Sequence, residues 1–199
     1  MKKITGLLLA SSFILAACAP PRPAAELPGN ERLPLTERKA QTERVSNWEI
    51  SGAMAARSKS KGWTASINWL QQGANNCQLR LFGPLGGGSV IIDKKGSLVT
   101  YRDGKHTASS TNANQLLVEK TGMRLPVNSL FYWVRGLPAP GAVQSSAHDQ
   151  YNHITQLKQD GYTINYTRYT SVNGVDLPSM IRLDGHGVMI KLVIKHWKI

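Results

Sequence analysis

The chain has 199 residues, with 24 Lys and Arg against 12 Asp and Glu for a formal charge of +12, and only two cysteines. That length suits one domain with a sizeable core, and so few thiols leave the fold to stand on that core rather than on disulfides. The surplus of positive charge points to an acidic partner, whether nucleic acid, anionic lipid or an acidic protein. The charges form no single block, however. Arg38, Lys39 and Arg44 alternate with Glu37 and Glu43, residues 57–61 read as a charged loop, and Lys94 and Lys95 sit in a turn before Gly96, so solvated surface explains them equally well.

At the amino terminus, Lys2 and Lys3 precede an apolar run over residues 4–17. This is the charged start and short hydrophobic stretch of a secretory signal peptide, too short for a spanning helix. Export argues against nucleic acid as the partner and favours an acidic protein or the membrane surface. The run ends Leu15-Ala16-Ala17-Cys18, which resembles the lipobox of bacterial lipoproteins, where the cysteine is acylated around cleavage; an ordinary signal peptide with an incidental cysteine is the alternative. Lipid on Cys18 would form a stable anchor, since two or more chains hold a protein where one does not. Ala19, in place of an aspartate, favours the outer membrane over retention in the inner one. Residues 18–35 hold Pro20, Pro21, Pro23, Pro28 and Pro34 with Gly29 and Asn30, a tether with extended stretches. The division expected is therefore a signal peptide over residues 1–17, a lipidated Pro-rich tether over 18–35 and a folded domain over 36–199. No repeat of fixed period and no second segment that could span a membrane is visible.

Within the domain, an amphipathic segment over residues 36–47 leads into the first strand. Trp63, Ala65, Ile67 and Trp69 alternate with Thr64, Ser66 and Asn68, the pattern of a half-buried antiparallel strand. The same alternation covers residues 50–56, 77–82, 89–93, 97–103, 154–158, 162–167, 179–184 and 188–197, with turn signals between them. Two helices interrupt the strands. One, over residues 112–121, has Asn112 and Gln115 in capping-box spacing and Gly122 as its stop; the other, over 127–135, places Leu130, Trp133 and Val134 at helical spacing. The fold class expected is α+β, mainly β: an antiparallel sandwich or barrel whose helices cover one face or an open end. A sheet curling through more than about eight strands leaves room for a ligand. Trp63, Ile67, Trp69, Leu79, Tyr162, Ile164 and Tyr166 then either line a cavity or fill an ordinary core. Cys77, on an alternating strand, reads as a small buried hydrophobe.

Catalytic signatures are weak. There is no nucleophile elbow, the glycine-rich stretch lacks the ending that a phosphate-binding loop needs, and the five histidines are scattered. Asp149 with His148 or His153 forms either an acid–base pair or a polar turn. A different stretch stands out: residues 81–89 read LFGPLGGGS, with Leu85 at the tip of a turn where Asn, Asp or Ser is usual. Leu85 folds back onto a core or touches something outside. Buried in lipid it would contribute on the order of 1.5 to 3 kcal/mol, enough for a reversible probe and too little for an anchor.

Residues 114–138, NQLLVEKTGMRLPVNSLFYWVRGLP, hold a Thr-Gly-Met-x-x-Pro-x-Asn-Ser-Leu core followed by Trp and Gly-Leu-Pro. With the lipobox, GPLG and a basic-aromatic final strand, this resembles the LolB family of outer-membrane lipoprotein receptors over essentially the whole mature chain. The resemblance implies an unclosed antiparallel β-barrel capped by helices and tips the aromatic and aliphatic set above toward an acyl-chain cavity. It further implies a lid carrying Leu130, Trp133 and Val134, and a membrane-insertion loop of Pro84, Leu85 and Gly86. The implied activity is to accept lipoproteins by their acyl chains from the periplasmic carrier LolA and place them in the inner leaflet of the outer membrane. No enzyme activity, cofactor, metal or nucleic-acid partner is expected, and the protein is expected to be a monomer. The three glycines at 86–88 depart from the family's loop and make the tip more mobile. Two other readings compete: an envelope binding module for lipopolysaccharide or a quinone, and a hydrolase centred on His148, Asp149 and His153.

Overall fold

Alternating inward residues put most of the described chain into one sheet, whose outer face is mainly polar or small with a few exposed apolar residues such as Leu70 and Phe82. The computed structural model describes residues 27–29, 32–59, 61–84, 88–104, 106–122, 124 and 126–199. Cys18, Leu85 and Gly86 lie outside these. In chain order the elements are α1 (Leu35–Arg44), β1 (Asn47–Ser58), β2 (Gly62–Gln72), β3 (Asn76–Phe82), β4 (Ser89–Lys95), β5 (Leu98–Asp103), β6 (His106–Ser110), α2 (Ala113–Thr121), α3 (Val127–Trp133), β7 (Val143–His148), β8 (Ile154–Gln159), β9 (Tyr162–Val172), β10 (Val175–Gly185) and β11 (Val188–Lys198). The sheet has 11 strands in the order β6-β5-β4-β3-β2-β1-β11-β10-β9-β8-β7, and every pairing is antiparallel. Among the described residues β6 and β7 do not pair with each other, so the barrel is unclosed.

Register aligns the inward side chains in rows. Ile67 of β2 faces Leu81 of β3, which faces Val90 of β4; one row along, Trp69 faces Leu79, Ile92 and then Tyr101. On the other half, Ile181 lies between Leu192 and Tyr166, and Leu183 between Ile190 and Ile164. These rows merge into one continuous apolar core.

The segment that leaves one sheet edge at β6 and returns at β7 carries α2 and α3, so the helices cross the open side. Asn112 caps α2 by accepting the Gln115 amide at 3.1 Å, and Gly122 ends it with a left-handed φ of 72°, as the capping-box spacing predicts. In α3, the fully buried Trp133 donates its indole N–H to Gln159 Oε1 at 2.9 Å, and its carbonyl accepts the Tyr166 hydroxyl at 2.9 Å. Arg135 follows. Its guanidinium lies 3.9 Å from the Phe131 ring centre, and its Nη1 donates to the carbonyls of Val45 and Thr42, which joins the end of α3 to the end of α1.

The nine strands read from alternation are present, but β6 and β7 were not anticipated. Their sequences, HTASS and VQSSAH, carry no apolar alternation, and every residue of β7 is exposed. They are edge strands whose position is set by pairing rather than by a buried face. Residues 57 and 58, expected in a loop, extend β1 instead.

A bulge in β1 at Ser51/Gly52 depends on the missing side chain of Gly52, since a Cβ there would come within 2.0 Å of the Val193 carbonyl oxygen. Backbone cannot move aside as a side-chain tip can. Gly52→Ala is therefore expected to destabilise by at least about 1–3 kcal/mol, the usual range for overpacking. Gly62→Ala, whose Cβ would meet nothing closer than 3.8 Å, is expected to stay within about 0.5 kcal/mol. Chemical denaturation of the two variants measures the contrast.

Candidate functional site

The rows nearest the Pro84 loop do not fill the barrel. Trp63 and Ala65 of β2, Leu81 of β3, Val90 and Ile92 of β4 and Tyr101 of β5 enclose a largely apolar cavity of about 310 Å³. Its rim is made by Gly83 and Gly88, the described residues flanking the loop tip, with Asp103 and by Thr121 at the end of α2. Gly83 N–H donates to the Gly88 carbonyl at 3.0 Å, which closes the base of the loop. Phe82, on the outer face at that base, is 41% exposed although large and apolar. Burial pushes the Tyr101 hydroxyl above its ordinary pKa, aided by the nearby Asp103, so this hydroxyl stays protonated near neutral pH.

Of the residues picked out from the sequence, Trp63 lines this cavity. Ile67 and Trp69 are buried farther along β2, and Leu79 packs against the same core. Tyr162, Ile164 and Tyr166 are buried on β9, where the tyrosine hydroxyls donate to the Arg124 and Trp133 carbonyls. Trp133 and Val134 are buried and Leu130 half-buried against that core. The structure therefore brings these residues into one interior, with open space at the Trp63 end. Sequence reasoning missed Leu81, Val90, Ile92 and Tyr101 as wall residues and Phe82 as part of the lip. Pairing the four wall residues across the sheet from Ile67 or Trp69 is the signal that finds them, and it requires the register; Phe82 lies opposite Ser66 on the outer face.

A second concentration of side chains lies at the start of β10. His153, 2% exposed, places Nδ1 at 2.9 Å from Asp149 Oδ2 and Nε2 at 2.8 Å from Asp176 Oδ2, and its ring stacks on Tyr169. Arg38 of α1 donates from Nη1 to the same Asp176 oxygen at 2.8 Å. Asp149 and His153 thus do pair, but within a network whose other members are committed to one another. Burial pushes the Asp176 carboxyl up, yet hydrogen bonds from His153, the Gly29 amide and Arg38 outweigh it and hold the group at about 2. For Asp149 burial is likewise outweighed, by bonds from the His153 ring and amide and the Tyr151 amide, and its carboxyl is lowered. His148 lies apart from this network's bonds; although exposed at the edge, its ring is partly desolvated by its neighbours, which lowers its pKa. The Cys77 thiol, half-buried, is raised by burial, which makes it unreactive. Among the described residues no three His, Cys, Asp or Glu side chains gather as a metal site, and no helix is long and apolar enough to cross a membrane.

An unclosed barrel with helices over its gap is the architecture in hand, and comparison with known proteins bears on its fold and family. The family model for the outer membrane lipoprotein LolB matches residues 46–197, from β1 to β11. The chain belongs to the LolB family. An outer-membrane lipoprotein LolB of Coxiella burnetii (strain RSA 493) is 36% identical over 156 residues, 78% of this chain and 73% of that protein. Another, of Pseudomonas aeruginosa (strain LESB58), is 37% identical over 163 residues, 80% of this chain and 78% of that one. Among solved structures, a LolA superfamily protein from Nitrosomonas europaea superposes with a TM-score of 0.51 at 10% identity, covering 84% of this chain and 94% of that one, a likeness of fold alone. The LolB match includes the cavity wall, Asp149, His153 and Asp176, and stops short of Arg38 and Gly29.

The depressed carboxyls give this LolB-family domain a defined response to acid. Their contribution is complete above the ordinary carboxylate range, near pH 4, and fades as the pH falls toward about 2. Asp176→Asn cannot titrate, so the loss of melting temperature between roughly pH 4 and 2 is expected to be shallower in this variant. Thermal melts across that range check it, and an equally steep loss would place the acid sensitivity elsewhere.

Proposed function

We propose that this protein is an outer-membrane lipoprotein receptor, anchored by acyl chains on Cys18 and facing the periplasm, which takes acylated lipoproteins from the carrier LolA and releases them into the inner leaflet of the outer membrane. The supporting observation is the position of the apolar cavity, whose rim is formed by Gly83 and Gly88, the two glycines on either side of the stretch that carries Leu85 in the sequence. A volume of about 310 Å³ falls at the lower end of ligand pockets, which run from about 300 to 1,000 Å³. Leu81, Val90, Ile92 and Trp63 offer an acyl chain an apolar wall, so burial of the chain is favourable by about 0.8 kcal/mol per methylene.

With no nucleotide in the scheme, transfer follows affinity: the receptor must bind the chain better than the carrier does, and the bilayer better than the receptor. The loop supplies the last step. Phe82 is exposed at the base of this loop, beside the cavity, and the sequence adds a second apolar residue, Leu85, to the same stretch; together they suit a weak, reversible contact with the leaflet. A chain sliding from cavity to membrane then stays in apolar surroundings.

Purified protein, carrier loaded with a lipoprotein, and liposomes test the steps separately. Leu85→Glu is expected to accept cargo normally and to deliver it roughly tenfold more slowly or worse, because a carboxylate resists burial in lipid. Val90→Glu, at a half-buried wall position, is expected to fold but to lose uptake itself. A well-folded Val90→Glu that accepts lipoprotein at the normal rate would show that this cavity is not the acyl-chain site. Mass spectrometry of the mature protein and of Cys18→Ala reports the acylation independently.

A further inference from the structure

The Asp176 network holds more than the barrel's own strands. Asp176 Oδ1 accepts the backbone N–H of Gly29 at 3.0 Å, Asn152 Nδ2 donates to the Leu33 carbonyl at 2.7 Å, and Arg38 Nε donates to the Tyr151 carbonyl at 3.1 Å. Each contact joins the segment ahead of the barrel, or α1, to residues more than 110 positions away. The receiving side is built for the purpose. Asp149 Oδ1 accepts the amides of Tyr151 and His153, both at 2.9 Å, and Asn152 N–H donates to the Asp149 carbonyl, which fixes a tight turn between β7 and β8. Asn152 adopts a left-handed φ of 65° in that turn, a conformation few non-glycine residues take. The turn presents the Tyr151 carbonyl and the Asn152 amide toward the incoming segment while His153 turns inward to Asp176.

Ordering backbone costs conformational entropy at every residue, so a tether that merely connects lipid to barrel has no reason to seat itself. We propose that the segment leading into α1 is a strap: seated through Gly29, Leu33 and Arg38 on Asp176, Asn152 and Tyr151, it holds the barrel close to its membrane anchor and in one orientation. The seating stands on the contacts alone, whereas the positional role rests on the proposed acylation of Cys18. Eleven residues separate Cys18 from Gly29 and span at most about 36–40 Å. Seventeen separate it from Leu35, and without the strap the free reach rises to about 56–61 Å. The strap leaves from the start of β10, four strands across the sheet from the Phe82 end of β3, so it limits which part of the rim the anchor draws toward the bilayer.

Two substitutions release the strap without touching Arg38, Asp176 or His153. Gly29→Pro removes the N–H donor, and its Cβ would sit at an ordinary 3.6 Å from Asp176 Oδ2. Asn152→Gly removes the donor to Leu33 at a position whose φ suits glycine. In the full mature chain in detergent, the double variant is expected to be cut by trypsin after Arg32 about ten times faster than wild type, at an unchanged melting temperature; an unchanged cleavage rate would overturn the seating. In liposomes containing dansyl lipid, energy transfer from the protein's tryptophans is expected to fall in the double variant. Faster cleavage with unchanged transfer would overturn the positional role. Wild type that never binds the liposomes would identify the anchor, rather than the strap, as the reading at fault.

Discussion

A sheet with two free edges must hide its interior by some means other than closure. Strand pairing here runs without interruption from β6 to β7 and stops, and the chain between those strands is the part that forms α2 and α3. The connection from one edge to the other has nowhere to pass except across the gap, so the lid follows from the topology. The polar groups this brings inside are matched: the Trp133 indole meets Gln159, the Tyr166 hydroxyl meets the Trp133 carbonyl, and Gln159 also exchanges hydrogen bonds with the Ala139 backbone. Left unpaired, each such group would cost about 1–3 kcal/mol.

The same openness separates two tasks around the rim. Where the strands flank the Pro84 loop, the inward rows leave space and the surroundings are apolar. At the start of β10, beside a smaller cavity of about 200 Å³, charges of both signs are arranged so that Asp176 accepts from three donors. An apolar mouth exchanges its contents readily because its interactions are non-directional, whereas the charged cluster fixes geometry because each of its bonds has a partner and an angle.

How much of this was legible in the sequence follows from what each feature depends on. Interior strands such as β2 and β9 announce themselves because burial on one face imposes a two-residue period. The helices were marked by Asn112, Gly122 and the spacing of Leu130 and Trp133. The edges β6 and β7 bury no face of their own, so no period records them. The wall of the cavity was half visible: Trp63 was chosen, but Leu81, Val90 and Tyr101 join it only once register is known. Asp176, Arg38 and Gly29 carry no local signal, being an acid in a strand, a base in a helix and a glycine among prolines. Their common purpose exists only where the fold brings them together.

Arg135 has a consequence for the conditions under which the molecule keeps its shape. It is a buried cation that donates to the carbonyl oxygens of Phe131, Thr42 and Val45, with the Phe131 ring against its plane, and no carboxylate forms an ion pair with it among the described residues. Burial lowers its pKa to about 10, which still leaves it charged well into alkali. Dissolved salt weakens exposed ion pairs by screening them and reaches buried contacts far less. The carbonyl contacts that join α1 to the lid are thus less sensitive to ionic strength than an exposed ion pair, and only the longer-range attraction of Glu43 for Arg135 is open to screening.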